Sequence, residues 1–310
     1  MKAIMYHYVR PTNPELPYFR HLHLEDFKKQ LDYFAEQYGF CSMVDFLRSI
    51  KTGIPKTGVI LTFDDGFSDH YQYVWPCLQE RGLWGIFYIP TGPYHSAKLL
   101  DAHRIHMLLG KHGGRMICDA LKDIVSEDML SHAHIVEFRT LTYSRQKNDD
   151  YSNLVKRILN YYISYDYRQR VIDDLMSMFP PDERISTGQF YMSTEEIRQM
   201  QATGMIIGSH AVNHLVMSKL TTDNQEKEIK ESFNFLEQIT DGLTLRTFCY
   251  PYGGFYSFTE DTEKLLEDNG CLFSFNVESR DIDAFSLKNR LQALPRYDCN
   301  EFPYGSVRGQ

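Results

Sequence analysis

The sequence contains no long apolar run, no extended basic run and no CxxC cysteine pair. A membrane-spanning helix needs about 20 consecutive apolar residues, and no run here approaches that length. The formal net charge is −8 and the sequence pI is about 5.8. An acidic chain without basic runs is a poor match for nucleic acid or an anionic membrane, because both carry negative charge. We therefore expect neither a membrane span nor a nucleic-acid partner.

Cysteine usage and the first residues bear on the cellular compartment. The six cysteines are widely scattered, so we expect reduced, free thiols. Residues 1–7 lack the charged-then-apolar pattern of a secretory signal peptide and are typical of a strand. We expect a soluble cytoplasmic protein.

Strand patterns alternate with helical patterns along most of the chain. The apolar, β-prone runs lie at residues 3–9, 59–63, 84–89, 205–208, 247–250, 272–276 and 291–295. Amphipathic helical segments separate them, and Ser193 with Glu196 forms the capping box that begins one such helix. This alternation predicts an α/β protein with a parallel sheet, open or closed into a barrel.

The pattern changes between residues 99 and 186. Strand patterns disappear there, and polar segments with helical periodicity dominate, for example around Leu154 and Ile158. We predict an α/β part formed by residues 1–98 and 187–310, and a helical insertion at residues 99–186. The insertion is expected to form either a lid or the interface of a homo-oligomer.

The most informative stretch is residues 59–66, in which an apolar strand ends in Asp64, Asp65 and Gly66. Two adjacent anions repel each other, and burying both without a cation is costly. A metal ion on one carboxylate would remove this cost and leave the other carboxylate free as a base. The structural alternative is an ordinary Asp-Asp-Gly turn at a strand end.

His210 and His214 follow another predicted strand, with the i,i+4 spacing that places two imidazoles on one face of a helical turn. Two histidines and one carboxylate form a ligand set that leaves open positions for water and substrate. Because the C-terminal ends of parallel strands share one rim, Asp64, Asp65 and both histidines can meet there.

Three motifs in this order resemble a known family. Residues 62–66, 209–214 and 246–253 are similar to the first three motifs of the NodB-type polysaccharide deacetylases, the carbohydrate esterase 4 family. The resemblance covers residues 1–95 and 190–300. It implies a distorted (β/α)7 barrel and a metal-dependent reaction that removes N-acetyl groups from amino sugars.

The resemblance also implies a role for each matching residue. Asp65, His210 and His214 would hold a divalent metal ion, Zn²⁺ foremost, with Ni, Co or Fe as alternatives. Asp64 would be the general base that deprotonates the attacking water. The backbone N–H of Tyr252 would stabilise the oxyanion.

The chain departs from the family pattern at its third motif. Cys249 stands where the family usually has an arginine that orients the base, although members with a Tyr-Pro-Tyr-Gly version of this motif lack that arginine too. We expect Arg296 to supply the guanidinium from the last strand; a surface arginine is the alternative. The family's tryptophan-bearing fourth motif is not recognisable.

The C-terminal histidine that serves the family as general acid is also absent, since no histidine follows His214. Poly-N-acetylglucosamine deacetylases, relatives with permuted motif order, carry it in an N-terminal Tyr-His strand, which Tyr6 and His7 match. We expect His7 to protonate the leaving amine; a buried structural histidine is the alternative. His70, one turn past Asp65, is expected on a helix surface; a position bordering the pocket is the alternative.

We predict a metal-dependent deacetylase that removes an N-acyl group from an amino sugar. The expected compartment favours a nucleotide-linked or lipid-linked saccharide of surface-polysaccharide biosynthesis over a mature wall polymer. Two alternatives remain. One is hydrolysis of a non-sugar linear or cyclic amide, as in allantoinase-like relatives. The other is a catalytically silent sugar-binding protein, against which the retained aspartates and histidines argue.

Overall fold

The computed structural model describes residues 1–131, 135–143, 148–180 and 187–308. Within it the chain divides into two compact units. The first unit comprises Met1–Pro11, His21–Lys98 and Thr187–Val307, and the second comprises Thr12–Arg20, Leu99–Ser186 and Arg308–Gln310. The assignment of a barrel domain and an inserted domain stays a prediction.

The regular elements are labelled in chain order. The described strands are β1 (Lys2–Tyr6), β2 (Val9–Arg10), β3 (Leu22–His23), β4 (Val59–Phe63), β5 (Ile86–Ile89), β6 (Ile206–Ser209), β7 (Thr247–Cys249), β8 (Phe273–Phe275) and β9 (Tyr297–Asp298). The described α-helices are α1 (Leu24–Gln37), α2 (Met43–Thr52), α3 (Trp75–Glu80), α4 (Gly92–Ser96), α5 (Asp101–His112), α6 (Gly114–Ile124), α7 (Ile135–Leu141), α8 (Asp150–Arg157), α9 (Tyr165–Met178), α10 (Thr187–Phe190), α11 (Thr194–Ala202), α12 (Thr222–Ile239), α13 (Glu260–Asp268) and α14 (Ala284–Asn289). Two short π-helical turns lie at His70–Val74 and Ile158–Tyr162.

Seven parallel strands form the main sheet, in the order β8-β7-β6-β5-β4-β1-β9. The sheet is curled into a half-barrel with helices between its strands, which confirms the predicted α/β class and distorted barrel. The predicted capping box of Ser193 and Glu196 is also confirmed, at the start of α11.

The chain from Leu294 to Asp298 bonds to both β8 and β1, the outer strands of the six that remain when β9 is left out. Leu294 bridges to Phe275 of β8, and Tyr297 pairs with Ile4 of β1. A last strand at 291–295 was expected, and that prediction is wrong: a single helical turn occupies Leu291–Ala293, and the strand begins two residues after Pro295. Proline cannot donate a ladder hydrogen bond. The shift places Arg296 between the contact with β8 at Leu294 and the contact with β1 at Tyr297.

Alternation along β4 determines which side chains face the interior of the curled sheet. Val59, Leu61 and Phe63 pack into one hydrophobic cluster, whereas Ile60 packs into another. Thr62 shares the face of Ile60, since side chains two apart on a strand point the same way. The next position on that face belongs to Asp64. The carboxylate of Asp64 therefore points into the interior of the curled sheet, at the C-terminal end of β4.

The second unit is helical among its described residues. Its core is built from apolar side chains of α5, α6, α8 and α9, among them Ile105, Ile117, Val155 and Ile172. None of the described helices is long and apolar enough to cross a membrane. A role of this unit in self-association stays a prediction.

Candidate active site

The predicted site residues lie at the C-terminal rim of the parallel sheet. Asp64 and Asp65 follow β4, His210 follows β6, and His7 lies one residue past β1. The β1–β4 register pairs Tyr6 with Phe63, so both strands end at the same level. Parallel strands therefore bring these side chains together although they are far apart in sequence.

The turn after β4 sends the two aspartates in different directions. Asp65 has a φ of +80° and Gly66 a φ of +62°, so two consecutive residues adopt the left-handed region. Glycine suits this conformation, and a Cβ on Gly66 would lie only 3.2 Å from Ile89 Cδ1. For an aspartate the conformation is strained, and such strain is concentrated at functional sites. Both carboxylates are buried, each 2% exposed.

Asp65 faces both predicted histidine ligands. Its Oδ1 lies 3.3 Å from Nε2 of His214 and 3.6 Å from Nε2 of His210. The three ligand atoms lie within 4.8 Å of one another, and all three residues are buried. This combination of one carboxylate and two imidazoles is a typical set of ligands for a divalent transition metal ion.

The hydrogen bond on the far side of His210 supports this interpretation. Its Nδ1 lies 2.7 Å from the carbonyl oxygen of Cys249. A carbonyl only accepts, so Nδ1 carries the proton and Nε2 presents a lone pair toward Asp65. Burial lowers the pKa of His210, which favours this neutral form. A neutral nitrogen facing a carboxylate oxygen fits a cation between them, and the bond to Cys249 is the support that metal-binding histidines usually have.

A second set of three residues, Asp64, His210 and Cys249, also has converging ligand atoms, but it fits a cation poorly. The guanidinium of Arg296 lies 2.8 Å from both Asp64 oxygens and 2.9 Å from Sγ of Cys249. Its fixed positive charge would repel a metal ion there. Burial also raises the pKa of Cys249, so the side chain stays a neutral thiol.

The two histidines converge through a loop and not through a helical turn as expected. Residues 210–214 contain no helix. Ala211 has a φ of +61° and His214 a φ of +52°, and these two left-handed residues turn the chain back. The imidazole centroids lie 4.7 Å apart. The i,i+4 spacing therefore identified the pair, but the predicted local conformation was wrong.

Glu228 of α12 anchors this loop and was not singled out in the sequence. Its Oε2 accepts the backbone N–H groups of Val212 and Asn213, each at 2.8 Å, and its Oε1 accepts Nδ2 of Asn213 at 2.6 Å. Glu228 is 7% exposed. One signal was available: the polar residues Gln225, Glu228 and Ser232 follow the helical spacing of the buried face of α12.

Arg296 is completely buried, so the surface-arginine alternative is wrong. Its Nη1 and Nη2 donate to Oδ1 and Oδ2 of Asp64, each at 2.8 Å. Nε donates to the carbonyl of Asn276 at 3.1 Å, Nη1 also donates to Thr62 Oγ1 at 3.0 Å, and Nη2 also contacts Cys249 Sγ. All five N–H groups of the guanidinium thus have an acceptor.

This contact determines the ionisation state of Asp64. Burial alone would raise the pKa of Asp64, but the charge and hydrogen bonds of Arg296 outweigh it and hold the pKa at about 2. The Cys249 thiol adds a contact of 3.4 Å to Oδ2 of Asp64. Asp64 is therefore an oriented, ionised carboxylate beside the candidate metal centre.

His7 and Tyr252 border this centre. Nε2 of His7 lies 3.9 Å from Oδ2 of Asp65, and the His7 side chain is 41% exposed, unlike a buried structural histidine. Tyr252 has a φ of +65°, and its ring centroid lies 4.8 Å from that of His214. His70 was expected on a helix surface, and this prediction is wrong, because His70 is completely buried.

The comparisons with known proteins agree with this architecture. Residues 176–273 match the family model described as polysaccharide deacetylase; this segment includes His210 and His214. No curated protein matches the chain. The fold is that of the NodB-type deacetylases, and the matched segment is similar to the polysaccharide deacetylase family. The finer subgroup with a Tyr-Pro-Tyr-Gly motif stays a prediction.

Several solved structures are similar over nearly the whole chain. Streptococcus pyogenes deacetylase PplD in complex with acetate has a TM-score of 0.58 at 16% identity, covering 96% of this chain and 91% of that chain. IcaB from Ammonifex degensii has a TM-score of 0.55 at 17% identity, covering 96% and 90%. The BpsB deacetylase domain from Bordetella bronchiseptica has a TM-score of 0.54 at 14% identity, covering 96% and 94%. At these identities the likeness shows a common fold.

Proposed function

We propose that this protein is a metal-dependent deacetylase that hydrolyses the N-acetyl group of an amino sugar. The observation that carries the proposal is the convergence of Asp65, His210 and His214 beside the oriented, ionised carboxylate of Asp64. The deacetylase fold and the family match support the same reaction class.

In this proposal the carboxylate of Asp65 and the Nε2 atoms of His210 and His214 hold a divalent ion. Zinc is the first candidate for such a mixed nitrogen and oxygen set, with nickel, cobalt or iron as alternatives. Such an ion, when bound, polarises an amide carbonyl and makes water more acidic.

Asp64 serves as the general base. Its carboxylate is ionised at neutral pH, and the two bonds from Arg296 fix its orientation. A fixed carboxylate beside the metal ligands is suited to accept a proton from the attacking water. Arg296 thus takes the place of the guanidinium that the family pattern has at position 249.

His7 serves as the general acid, and Tyr252 as the oxyanion donor. The imidazole of His7 lies across Asp65 from the two histidines and is accessible to substrate. A protonated imidazole in this position can donate its proton to the amine that leaves when the amide bond breaks. The backbone N–H of Tyr252 would donate to the oxygen that becomes negative during the attack.

The substrate class is an N-acetylated amino sugar. The PplD structure holds acetate, the acid that hydrolysis of an acetamide releases, and this supports acetyl as the acyl group. The narrower proposal is that the sugar is linked to a nucleotide or lipid carrier. It predicts faster acetate release from nucleotide-linked N-acetylated monosaccharides than from chitin oligomers or peptidoglycan, and the reverse preference would contradict it.

The test combines metal analysis with an assay of acetate release before and after chelation. About one divalent ion per chain and chelator-sensitive release are expected. Asp64→Asn should keep the metal and lose about 10²–10⁴-fold in turnover. The matched control is Asp69→Asn, which removes the charge of another buried aspartate paired with an arginine. Nε of the partly buried Arg10 lies 2.7 Å from Asp69 Oδ2, and this variant should keep most turnover.

Each alternative function has its own outcome in this test. Opening of a cyclic amide without acetate release from any sugar would indicate an allantoinase-like hydrolase. Bound metal without turnover on any tested amide would indicate a silent sugar-binding protein. Failure to bind a divalent ion under metal-replete conditions would remove the assignment of Asp65, His210 and His214 as ligands.

A further inference from the structure

His70 is a buried imidazole that has no part in the proposed reaction so far. It begins the π-helical turn His70–Val74, one turn past Asp65, and is completely buried. Its ring centroid lies 5.7, 5.6 and 5.8 Å from those of Phe63, Phe67 and Phe87. A phenylalanine would fill this aromatic surrounding without the cost of burying polar nitrogens. The buried imidazole therefore requires a hydrogen bond that offsets the cost of its burial.

That bond is made to the backbone of His7. The Nε2 atom of His70 lies 2.9 Å from the carbonyl oxygen of His7. Because a carbonyl only accepts, Nε2 must carry the proton. Burial lowers the pKa of His70 to about 4, so the ring is neutral at physiological pH. Among the described residues its Nδ1 is buried without a hydrogen-bond partner, which leaves the bond to His7 as the polar contact of the ring.

The location of this bond gives it a specific consequence. The ladder between β1 and β4 ends with the bond from Asp64 N to Tyr6 O. Beyond this point the two chains separate, since β4 enters its left-handed turn at Asp65. His7 is the first residue past the ladder. The bond from His70 ties its backbone to the segment that carries both aspartates.

We propose that His70 is a positioning residue, which holds the His7 backbone so that the imidazole of His7 faces Asp65 at the candidate metal centre. This inference rests on the proposed deacetylase function and extends it. His7 Nε2 lies 3.9 Å from Asp65 Oδ2, and a shift of about 1 Å in a proton donor can cost about 10²-fold in rate. Without the donor of His70, the His7 carbonyl would lose its partner and the strand end could move.

Two substitutions separate the hydrogen bond from the packing. His70→Phe fills the aromatic surrounding but has no donor. His70→Gln places an amide N–H at a similar reach, and it serves as the matched control. Both variants are made in the full chain and loaded with metal, and metal content and melting temperature are measured first.

The kinetic readout uses two substrates that differ in their need for an acid. A nucleotide-linked N-acetylated amino sugar has a poor amine leaving group that requires a proton. Para-nitrophenyl acetate releases a phenolate that does not. For His70→Phe we expect kcat on the amide to fall about 10²-fold with KM nearly unchanged, while the ester is hydrolysed almost as by the wild type. His70→Gln should restore most of the amide activity.

Several results would overturn the inference. Equal losses on amide and ester would show a general structural effect, and unchanged amide turnover in His70→Phe would show that the bond has no role. A folded, metal-loaded His70→Gln as slow as His70→Phe would also contradict it.

Crystal structures of both variants test the positioning independently of activity. If the wild type releases no acetate, the proposed function fails, and these structures still decide the positioning. The His7 imidazole should be displaced from Asp65 in His70→Phe and stay in place in His70→Gln. An unmoved His7 in His70→Phe overturns the inference whatever the activity.

Discussion

Replacement of Arg296 by methionine removes the guanidinium that the structure places against Asp64. Both oxygens of Asp64 accept bonds of 2.8 Å from Arg296, and the two side chains are 2% and 0% exposed. Methionine fills a similar volume without charge, so the carboxylate is left buried beside an apolar group. Breaking a buried pair in this way costs about 3–5 kcal/mol. We expect a loss of this size in the free energy of unfolding at neutral pH.

The pH dependence follows from the direction of the pKa shift. In the wild type the pKa of Asp64 is held at about 2, below the ordinary value of about 3.9. This difference contributes about 2–3 kcal/mol of stability above pH ~4, which is lost as the pH falls toward 2. Without Arg296, burial raises the pKa of Asp64 above its ordinary value. The variant is then least stable, relative to the wild type, at neutral pH.

The assay is urea unfolding of metal-free protein at neutral pH and at about pH 5. The matched control is Arg246→Met, because Arg246 also makes a two-bond pair, with Glu237 at 2.8 and 3.0 Å, but its side chains are 31% and 37% exposed. A partly exposed pair contributes at most about 1 kcal/mol. The reasoning is refuted if both variants lose the same stability, or if the deficit of Arg296→Met stays constant as the pH falls.

Two further predictions concern residues around the candidate metal ligands. In Glu228→Gln the amide oxygen can still accept the backbone N–H groups of the loop that carries His214, but the new NH2 group faces Nδ2 of Asn213, which is also a donor. The loop should therefore shift, and metal affinity should fall about 10- to 100-fold. Metal titration against Glu231→Gln, an exposed position on the same helix, checks this, and equal affinities would contradict it. Cys249→Arg in the Arg296→Met background should recover part of the acetate release, because Cys249 Sγ lies 3.4 Å from Asp64 Oδ2. In the wild-type background the same change should destabilise the protein, since two guanidinium groups would then crowd one carboxylate. No recovery in a folded double variant would show that a charge from position 249 cannot replace Arg296.

Local sequence patterns were sufficient for every strand of the main sheet except the last, and for the main candidates of the site. The apolar run of β4 and the two acids after it are adjacent in sequence, so their relation is readable directly. The alternation of strands and helices then predicts that Asp65 and His210 share one rim. Both inferences need only the geometry that every parallel sheet has.

The sequence failed where a residue depends on a distant partner. His70 was expected on a surface because helical position alone does not show which face is buried; its ring packs against Phe63 and Phe87 of the sheet and Phe67 of the following segment. The His210–His214 pair was assigned a helical turn, whereas these residues form a loop with two left-handed residues. Glu228 stabilises this loop by accepting two of its backbone N–H groups. The last strand, β9, was misplaced because its position depends on pairing with β1, which is distant in sequence.

The sequence by itself determined the fold class, the order of the motifs and the group of candidate residues Asp64, Asp65, His210 and His214, since each depends on short-range patterns and on the parallel arrangement of strands. The choice of Asp65 as the metal ligand came from the resemblance to the deacetylase family. Only the tertiary structure decided the state of Asp64. The guanidinium that holds its pKa at about 2 comes from Arg296, more than two hundred residues away. The chain brings them together because the segment around Arg296 bonds to both β8 and β1 of the curled sheet. These pairings join residues far apart in sequence, so no local pattern reveals them.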